Sequence, residues 1–409
     1  MASKIFIGYM PELLENVLNN LNNELNSLYS CALVNRYCRV VSHIINLLFK
    51  LFIESGAALY KLNLSEFVKI KPEVLLGRSE QFFSQLQDLS LELLEFEHDE
   101  GIVLLRILAK HTKKISDLKL DEFYSDYPES LYHALICIIK SQVQLKKFHL
   151  ITEGDVSIEF YGIVSALESQ KQSLREVILE NCDYNAEFKA LMNCKNLEIL
   201  RNKYCDYKLL NIFDYKISTL EIVNGHIDTS KIVIFLEKSG TLLQRLKLES
   251  KYKMQEDFLL KTLKSFCPNI TYLDISPIRL STQFIDLINN LQKLQFLTLC
   301  YVDDWPDNEQ VMHFAKILPL TLQYLDLKYS RLNSYINLLL NNCNAPLKKL
   351  LINHLDKDKD AKAIIEFCIR NRNLKYVGVN KFLNLDNNIK KELEEYIILV
   401  PCNVIVINC

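Results

Sequence analysis

The chain has 409 residues, of which 49% are apolar and 24% charged, a balance typical of a folded protein that excludes bulk disorder. Its 48 basic and 50 acidic residues give a formal net charge of −2, so no global charge favours nucleic acid as a partner. With nine glycines and nine prolines, the sequence argues against glycine-rich phosphate loops and long flexible linkers. The length fits two to four domains or one long repeat array.

The N-terminal sequence carries no targeting signal that we recognise. Residues 1–8 lack the long apolar core of a secretory signal peptide. The most apolar stretch, residues 40–53, is interrupted by polar residues and is shorter than the roughly 20 residues of a membrane span. The twelve cysteines form no C-x-x-C pair, which favours free buried thiols. We therefore expect a cytoplasmic, or nuclear, protein with no membrane partner.

The first fifty residues are predicted to form a domain of three helices. Residues 10–21 open with Pro11, and proline is favourable as the first residue of a helix. A polar turn leads to a second helical run with Ser27 as its N-cap, and residues 40–49 form a third. One face of the first helix has apolar residues spaced i, i+3, i+4 and i+7: Leu14, Val17, Leu18 and Leu21.

The rest of the chain repeats the pattern L-x-x-L-x-L, with leucine, isoleucine, valine or phenylalanine at its apolar places. Thirteen copies follow one another at intervals of 20 to 30 residues, with a mean of about 26. A fainter fourteenth copy begins at Pro401. We number the first apolar residue of each copy position 1; these residues are Leu59, Leu86, Ile115, Leu145, Leu174, Leu197, Ile217, Leu243, Ile270, Leu294, Leu322, Leu347 and Leu374.

The spacing within each copy predicts a strand, and the residues between copies predict a helix. Positions 4 and 6 are two residues apart and so point to one face of a short strand. One strand and one helix cannot bury their apolar faces alone, whereas stacked copies share a continuous core. The pattern resembles the leucine-rich repeat. It predicts an α/β solenoid of about 13–14 repeats over residues 51–409, with a curved parallel sheet inside and helices outside.

The N-terminal segment resembles an F-box. The matching residues are Met10-Pro11-Glu12-Leu13-Leu14, then Val17-Leu18 with Leu21, and finally Leu33-Val34-Asn35-Arg36. The tryptophan that usually ends the third motif is absent, because Tyr37 and Cys38 stand at this place. An F-box followed directly by leucine-rich repeats is a common arrangement, and this chain is most similar to the expanded fungal type of that family.

The resemblance implies a substrate receptor of a cullin-based (SCF-type) ubiquitin ligase, in which the F-box docks on an adaptor protein and the repeats hold a target for degradation. Two other interpretations stay open: the helices only cap the first repeat, or the chain is a protein-interaction scaffold whose F-box no longer docks. Carried over residue by residue, the adaptor-binding side chains would be Pro11, Leu13, Leu14, Val17, Leu18, Leu33, Val34 and Arg36.

Positions 3, 5 and 7 of each copy are predicted to project from the concave face of the sheet, where an unknown target protein would bind. Position 3 is aromatic in three consecutive copies, and aromatic side chains anchor many interfaces. The rings could equally stack on one another and seal the sheet. Early copies present acids such as Asp121, and later copies present bases such as Lys247, so the charges could orient a partner. The candidate partner-binding residues are Tyr272, Phe296, Tyr324, Tyr376, Asp88, Asp117 and Arg245.

No catalytic or metal-binding motif is present. The eight histidines include no H-x-x-x-H pair, and the sequence contains neither G-x-S-x-G nor a phosphate-binding loop. The acids at 356, 358 and 360 lack the glycine and glutamate that an EF-hand requires. The sequence predicts no enzymatic activity, no cofactor and no metal.

Overall fold

A computed structural model divides the chain into two compact units, residues 1–196 and 197–409. The structure describes residues 46, 49–64, 79–93, 99–124, 126–153, 159–206, 208, 210, 216–300, 305–355, 358–382 and 387–405. Apart from residues 46, 49 and 50, the predicted F-box-like domain lies outside these ranges, and so do all eight candidate adaptor-binding residues.

The described residues of the first unit contain five strands, each paired in parallel with its neighbours along the chain. They are β1 (Lys61–Leu64), β2 (Asp88–Glu92), β3 (Asp117–Phe123), β4 (Lys147–Thr152) and β5 (Glu176–Glu180). The segments between the strands are helical: α1 (Ser79–Phe83), α2 (Asp99–His111), α3 (Glu129–Ser141), α4 (Ile163–Ala166) and the 3₁₀ helix Leu167–Gln170, with a second 3₁₀ helix, Ala186–Asn193, after β5.

In the second unit, nine parallel strands fall within the ranges that the structure describes. They are β6 (Ile199–Lys203), β7 (Thr219–Asn224), β8 (Arg245–Ser250), β9 (Tyr272–Ser276), β10 (Phe296–Thr298), β11 (Tyr324–Asp326), β12 (Lys349–Leu355), β13 (Tyr376–Phe382) and β14 (Ile398–Pro401). Its helices are α5 (Thr229–Ser239), α6 (Glu256–Phe266), α7 (Thr282–Asn290), α8 (Asn308–Ile317), α9 (Ile336–Asn342), α10 (Asp358–Arg370) and α11 (Asn387–Tyr396), with 3₁₀ helices at Arg331–Tyr335 and Cys402–Val404.

Each of the thirteen predicted copies contains a strand that begins at its position 3. Neighbouring strands align position 3 with position 3, as in the pairing of Tyr272 with Phe296. The position-4 residue is buried in every copy, because it points between the sheet and the adjoining helices; Leu273 and Leu325, for example, are fully buried. The α/β leucine-rich-repeat architecture is therefore confirmed in both units.

Two glutamines close the turns between helix and strand in the first unit. The amide oxygen of Gln142 accepts a hydrogen bond from the backbone N–H of Ile115 at 3.0 Å, and that of Gln170 accepts one from Leu145 at 3.1 Å. The amide nitrogen of Gln170 donates to the carbonyl oxygens of Ile139 and Gln142. Both side chains are buried, and each satisfies backbone groups of the preceding repeat.

The predicted fourteenth copy is wrong in its register. The last strand, β14, begins at Ile398, which pairs with Tyr376 of β13, whereas a copy starting at Pro401 would begin its strand at Asn403. The reason is that α11 ends at Tyr396 and the chain enters the strand almost at once. The interval between the starts of the last two strands is therefore shorter than a copy beginning at Pro401 would require. Residues 402–404 form a 3₁₀ helix instead of a strand.

The register makes a prediction about stability. Replacing the fully buried Leu297 by alanine should cost about 2–5 kcal/mol of unfolding free energy, because it leaves a cavity between sheet and helices. The matched control is Leu320→Ala, since Leu320 is 72% exposed and its truncation should change stability by no more than about 0.5 kcal/mol. Chemical denaturation measures both; equal effects would contradict the register.

Candidate functional site

The aromatic residues at position 3 form a row in the second unit. Tyr272, Phe296 and Tyr324 lie on the adjacent strands β9, β10 and β11 in matching register. The ring centroids of Tyr272 and Phe296 are 6.4 Å apart, and those of Phe296 and Tyr324 are 6.0 Å apart. Tyr376 stands apart from this row, because Lys349 occupies position 3 of the strand between them.

The expectation that this row faces open solvent is wrong for two of its members. Tyr272 and Tyr324 are each only 5% exposed, Phe296 is half-buried, and Tyr376 is 37% exposed. Tyr324 is buried by residues 402–405, which fold onto this face of the sheet; we call them the C-terminal cover. Recognition of a partner by these four aromatic side chains remains a prediction.

The C-terminal cover is held by apolar contacts with the sheet. Cys402 and Ile405 pack with Tyr324 and Leu351 in one buried cluster. The partly buried side chains of Phe296 and Val400 pack against this cluster. Removing these apolar surfaces from water favours the covered arrangement by roughly 25 cal/mol for each Å² buried.

A glycine lets the C-terminal cover approach the sheet closely. A Cβ atom on Gly378 of β13 would lie 3.1 Å from Leu351 Cγ, 3.3 Å from Ile405 Cδ1 and 3.4 Å from Cys402 Cα. The Cys402 thiol also donates a hydrogen bond to the carbonyl oxygen of Ile352 at 3.5 Å. A larger residue at this place would require its neighbours in the strand or the C-terminal cover to shift by a few tenths of an ångström.

Position 5 carries a row of alternating charges on four neighbouring strands. Arg201, Glu221, Lys247 and Asp274 align in register on β6 to β9. Arg201 Nη1 lies 2.7 Å from one oxygen of the Glu221 carboxylate, and Lys247 Nζ lies 3.5 Å from the other. Lys247 also pairs with Glu249 at 3.2 Å. Burial lowers the pKa of Lys247, but the combined charges of Glu221, Asp274 and Glu249 outweigh it and raise that pKa.

Between this charged row and the C-terminal cover lies an open cleft of about 370 Å³. Position-5 residues of β8 to β11 line it, and Cys402, Asn403 and Ile405 border it. This volume falls within the range of roughly 300–1,000 Å³ that is usual for ligand pockets. Because charged position-5 residues and the rings of Tyr272 and Tyr324 line it together, the cleft is the candidate functional site of the second unit.

The two aspartates of the cleft have different surroundings. Asp326 accepts hydrogen bonds from the Tyr324 hydroxyl at 3.3 Å and from the backbone N–H of Lys328 at 3.0 Å. Its carboxylate also pairs with Lys328 Nζ at 3.2 Å. Burial lowers the pKa of Lys328, but the charge of Asp326 and its hydrogen bond raise it overall. Asp326 is thus a buried but fully matched carboxylate.

The Asp274 carboxylate has no comparable hydrogen-bond or ion-pair partner among the described residues. The residue as a whole is only 7% exposed. Burial raises the pKa of Asp274 to about 7, aided by the charges of Glu249, Asp326 and Glu221 and opposed by that of Lys247. The Asp274 carboxyl group therefore titrates near neutral pH.

The predicted acidic zone of the first unit is neutralised within the sheet. Asp88 pairs with Lys61 at 3.1 Å, and Asp117 pairs with Lys147 at 3.7 Å. Burial is the main cause that raises the pKa of Asp117. In the second unit, the guanidinium carbon of Arg245 lies 5.0 Å from the ring centroid of Tyr272, a cation–π geometry. These three candidate residues have partners within the fold, and a role for them in binding a target stays a prediction.

The described residues contain neither a metal-binding cluster nor a membrane-spanning helix. No group of three or more histidine, cysteine, aspartate or glutamate side chains within them is arranged to hold a metal ion. None of the described helices combines the length and apolarity needed to cross a bilayer. The nine described cysteines have free thiols, and burial raises the pKa of Cys300, in the cleft, to about 12. A thiol with this pKa is a poor nucleophile at neutral pH.

No protein-family model matches the sequence, and no curated protein matches it significantly. Solved structures with a similar arrangement include the complex of Rad7 and Elc1 from yeast, with 14% identity, a TM-score of 0.43 and coverage of 99% of this chain and 98% of that chain. The leucine-rich-repeat protein LegL7 from Legionella pneumophila matches with 14% identity, a TM-score of 0.41 and coverage of 69% and 95%. The complex of TLR13 with ssRNA13 matches with 15% identity, a TM-score of 0.39 and coverage of 86% and 55%. Similarity at this level says nothing about partners or activity.

Gly378→Ala should loosen the C-terminal cover. The added Cβ would crowd Leu351 and Ile405, and such overpacking costs about 1–3 kcal/mol. We expect the amide of Ile405, which donates to the Cys402 carbonyl oxygen, to exchange its hydrogen about tenfold faster. Gly225→Ala is the control, because a Cβ there meets nothing within 4 Å. Equal protection of Ile405 in both variants would contradict the proposed contact.

Asp274→Asn should change how stability depends on pH. The raised pKa means that the folded state holds the Asp274 proton more tightly than the unfolded state, where the ordinary value is 3.8. The wild-type protein should therefore lose stability relative to the variant as pH rises from about 4 to about 7, on the order of 3 kcal/mol in total. Denaturation curves at several pH values measure this. Asp286→Asn, on the exposed face of α7, should follow the wild type, and parallel curves for wild type and Asp274→Asn would disprove the assignment.

Proposed function

We propose that this chain is the substrate-recognition subunit of a cullin-based ubiquitin ligase. The observation that carries the proposal is the order of its parts: the F-box-like pattern of residues 10–36 is followed directly by a leucine-rich-repeat array. In that arrangement the N-terminal helices dock on the ligase adaptor, and the repeats hold the protein to be ubiquitylated. The chain itself performs no chemistry and requires no cofactor.

The repeat array supports the second half of this proposal. Leucine-rich repeats stack into extended binding surfaces, because each strand presents positions 3, 5 and 7 on one face. In the second unit this face offers a row of aromatic rings, a row of alternating charges and a cleft. Such a mixture of apolar, charged and concave surface is suited to binding a protein selectively.

The adaptor-binding half rests on the sequence. The apolar residues of the first predicted helix, among them Leu14 and Val17, would enter the adaptor, and the ligase would act in the cytoplasm or nucleus. A scaffold that binds proteins through its repeats, but never joins a ligase, is the alternative. Capture of the folded chain by the cullin adaptor at micromolar concentration distinguishes the two, because only a substrate receptor binds it.

Leu14→Asp combined with Val17→Asp should abolish adaptor binding while the repeats stay folded. Two carboxylates placed on the predicted apolar face cannot be buried in an interface without a large desolvation cost. Titration calorimetry measures the binding, and circular dichroism checks the fold. Asn16→Asp with Asn20→Asp, on the predicted polar face of the same helix, should bind as the wild type does. Unchanged binding by the first variant would mean that the F-box assignment is wrong.

A further inference from the structure

Two buried polar side chains in the cleft have no partner among the described residues. Asp274 is 7% exposed and its carboxylate has no hydrogen bond or ion pair, and the hydroxyl of Ser276, on a residue that is 1% exposed, makes no hydrogen bond. Both residues lie on β9 and line the same cleft. Most buried polar groups in proteins are hydrogen-bonded, because leaving one unsatisfied costs free energy. Two such groups on one strand of the cleft are available to accept hydrogen bonds from a bound ligand.

The charges of the cleft indicate the sign of that ligand. Lys247 is already paired with Glu221 and Glu249, and Lys328 is already paired with Asp326. Among the charged side chains that line the cleft, Asp274 alone makes no ion pair within the part of the chain that the structure describes. An anion would meet this unmatched carboxylate and find both lysines engaged. A cation, by contrast, would complete the row of alternating charges that begins at Arg201.

The shape and walls of the cleft indicate the size of the ligand. Its volume of about 370 Å³ suits a single long side chain and is too small for a helix. The rings of Tyr272 and Tyr324 stand at one side, and Ile405 of the C-terminal cover stands nearby. Lysine and arginine bury their aliphatic stems against apolar surface while the charged end finds a polar partner, and their cations also interact favourably with aromatic rings.

We propose that this cleft binds one lysine or arginine side chain of a target protein, with its cationic group against the Asp274 carboxylate and the Ser276 hydroxyl as a further acceptor. This inference rests on the proposed function and defines the class of segment that the repeats would recognise. An ammonium or guanidinium group only donates hydrogen bonds, and both partners in the cleft can accept them.

The cleft makes this binding dependent on pH. With a pKa of about 7, Asp274 is mostly protonated at pH 6 and mostly ionised at pH 8, and only the ionised form attracts a cation. Affinity should therefore rise about tenfold between these pH values. The titratable and charged groups around Asp274 come from five strands and the C-terminal cover: Glu221 on β7, Lys247 and Glu249 on β8, Tyr272 on β9, Cys300 after β10, Tyr324, Asp326, Lys328 and Tyr329 on and after β11, and Cys402.

The test uses the full chain without the adaptor and three capped peptides, N-acetyl-Gly-Gly-X-Gly-Gly-amide, in which X is lysine, arginine or norleucine. Norleucine keeps the aliphatic stem and lacks the charge. Ligand-observed NMR at pH 8 should give dissociation constants on the order of 1 mM for the two basic peptides and at least tenfold weaker binding for norleucine. Asp274→Asn should weaken binding of the basic peptides about tenfold, whereas Asp286→Asn should leave it unchanged.

Several results would overturn the proposal: equal binding of the norleucine peptide, unchanged affinity of Asp274→Asn, or no binding of the basic peptides below 10 mM. The pH dependence of the wild type provides a second measurement that requires no variant, and an affinity independent of pH would also overturn it. The Leu14→Asp/Val17→Asp protein should bind the basic peptides normally. The peptide experiment can therefore contradict the binding of a basic side chain in the cleft without contradicting adaptor docking, and the adaptor experiment can do the reverse.

Discussion

The fold depends on one constraint: no single repeat can bury its own apolar face. Positions 4 and 6 of each strand are covered only when the next strand pairs in register and the next helix packs beside it. The register that buries Leu273 therefore also fixes what stands on the opposite face. It aligns Tyr272 with Phe296 in one row and Glu221 with Lys247 in another. A shift of one residue would exchange the two faces of a strand and place charges in the core.

Two aspartates at the same repeat position show that a single residue decides whether a buried carboxylate has a counter-ion. Asp326 is followed two residues later by Lys328, whose ammonium group returns to it. Asp274 is followed at the same distance by Ser276, which brings no charge. Both aspartates are buried, but only Asp326 has a counter-ion. Whether each carboxylate is neutralised thus depends on the residue at position 7, which is Lys328 in one copy and Ser276 in the other.

The repeat pattern was sufficient to predict where each of thirteen strands begins, because alternation of buried residues and parallel pairing leave a single register. It was insufficient at the C-terminus. Val404 and Val406 resembled the apolar places of another repeat. The side chains that are buried are instead Cys402 and Ile405, which pack against Tyr324, far away in sequence. Such a contact has no local signal, and it explains why Tyr324 is buried although exposure was expected. The pairing of Arg201 with Glu221 likewise becomes visible only once the strands are aligned.

The last strand has a consequence for how these molecules behave at high concentration. An unpaired sheet edge is a template on which a strand of a second molecule can add, and this is a common start of aggregation. Among the described residues no strand pairs with the outer edge of β14, which is only four residues long and ends in Pro401, a residue with no N–H to offer. The chain then turns away at once to place Cys402 on the sheet face. The same turn that covers Tyr324 therefore leaves an incoming strand little backbone to pair with, which disfavours end-to-end polymers.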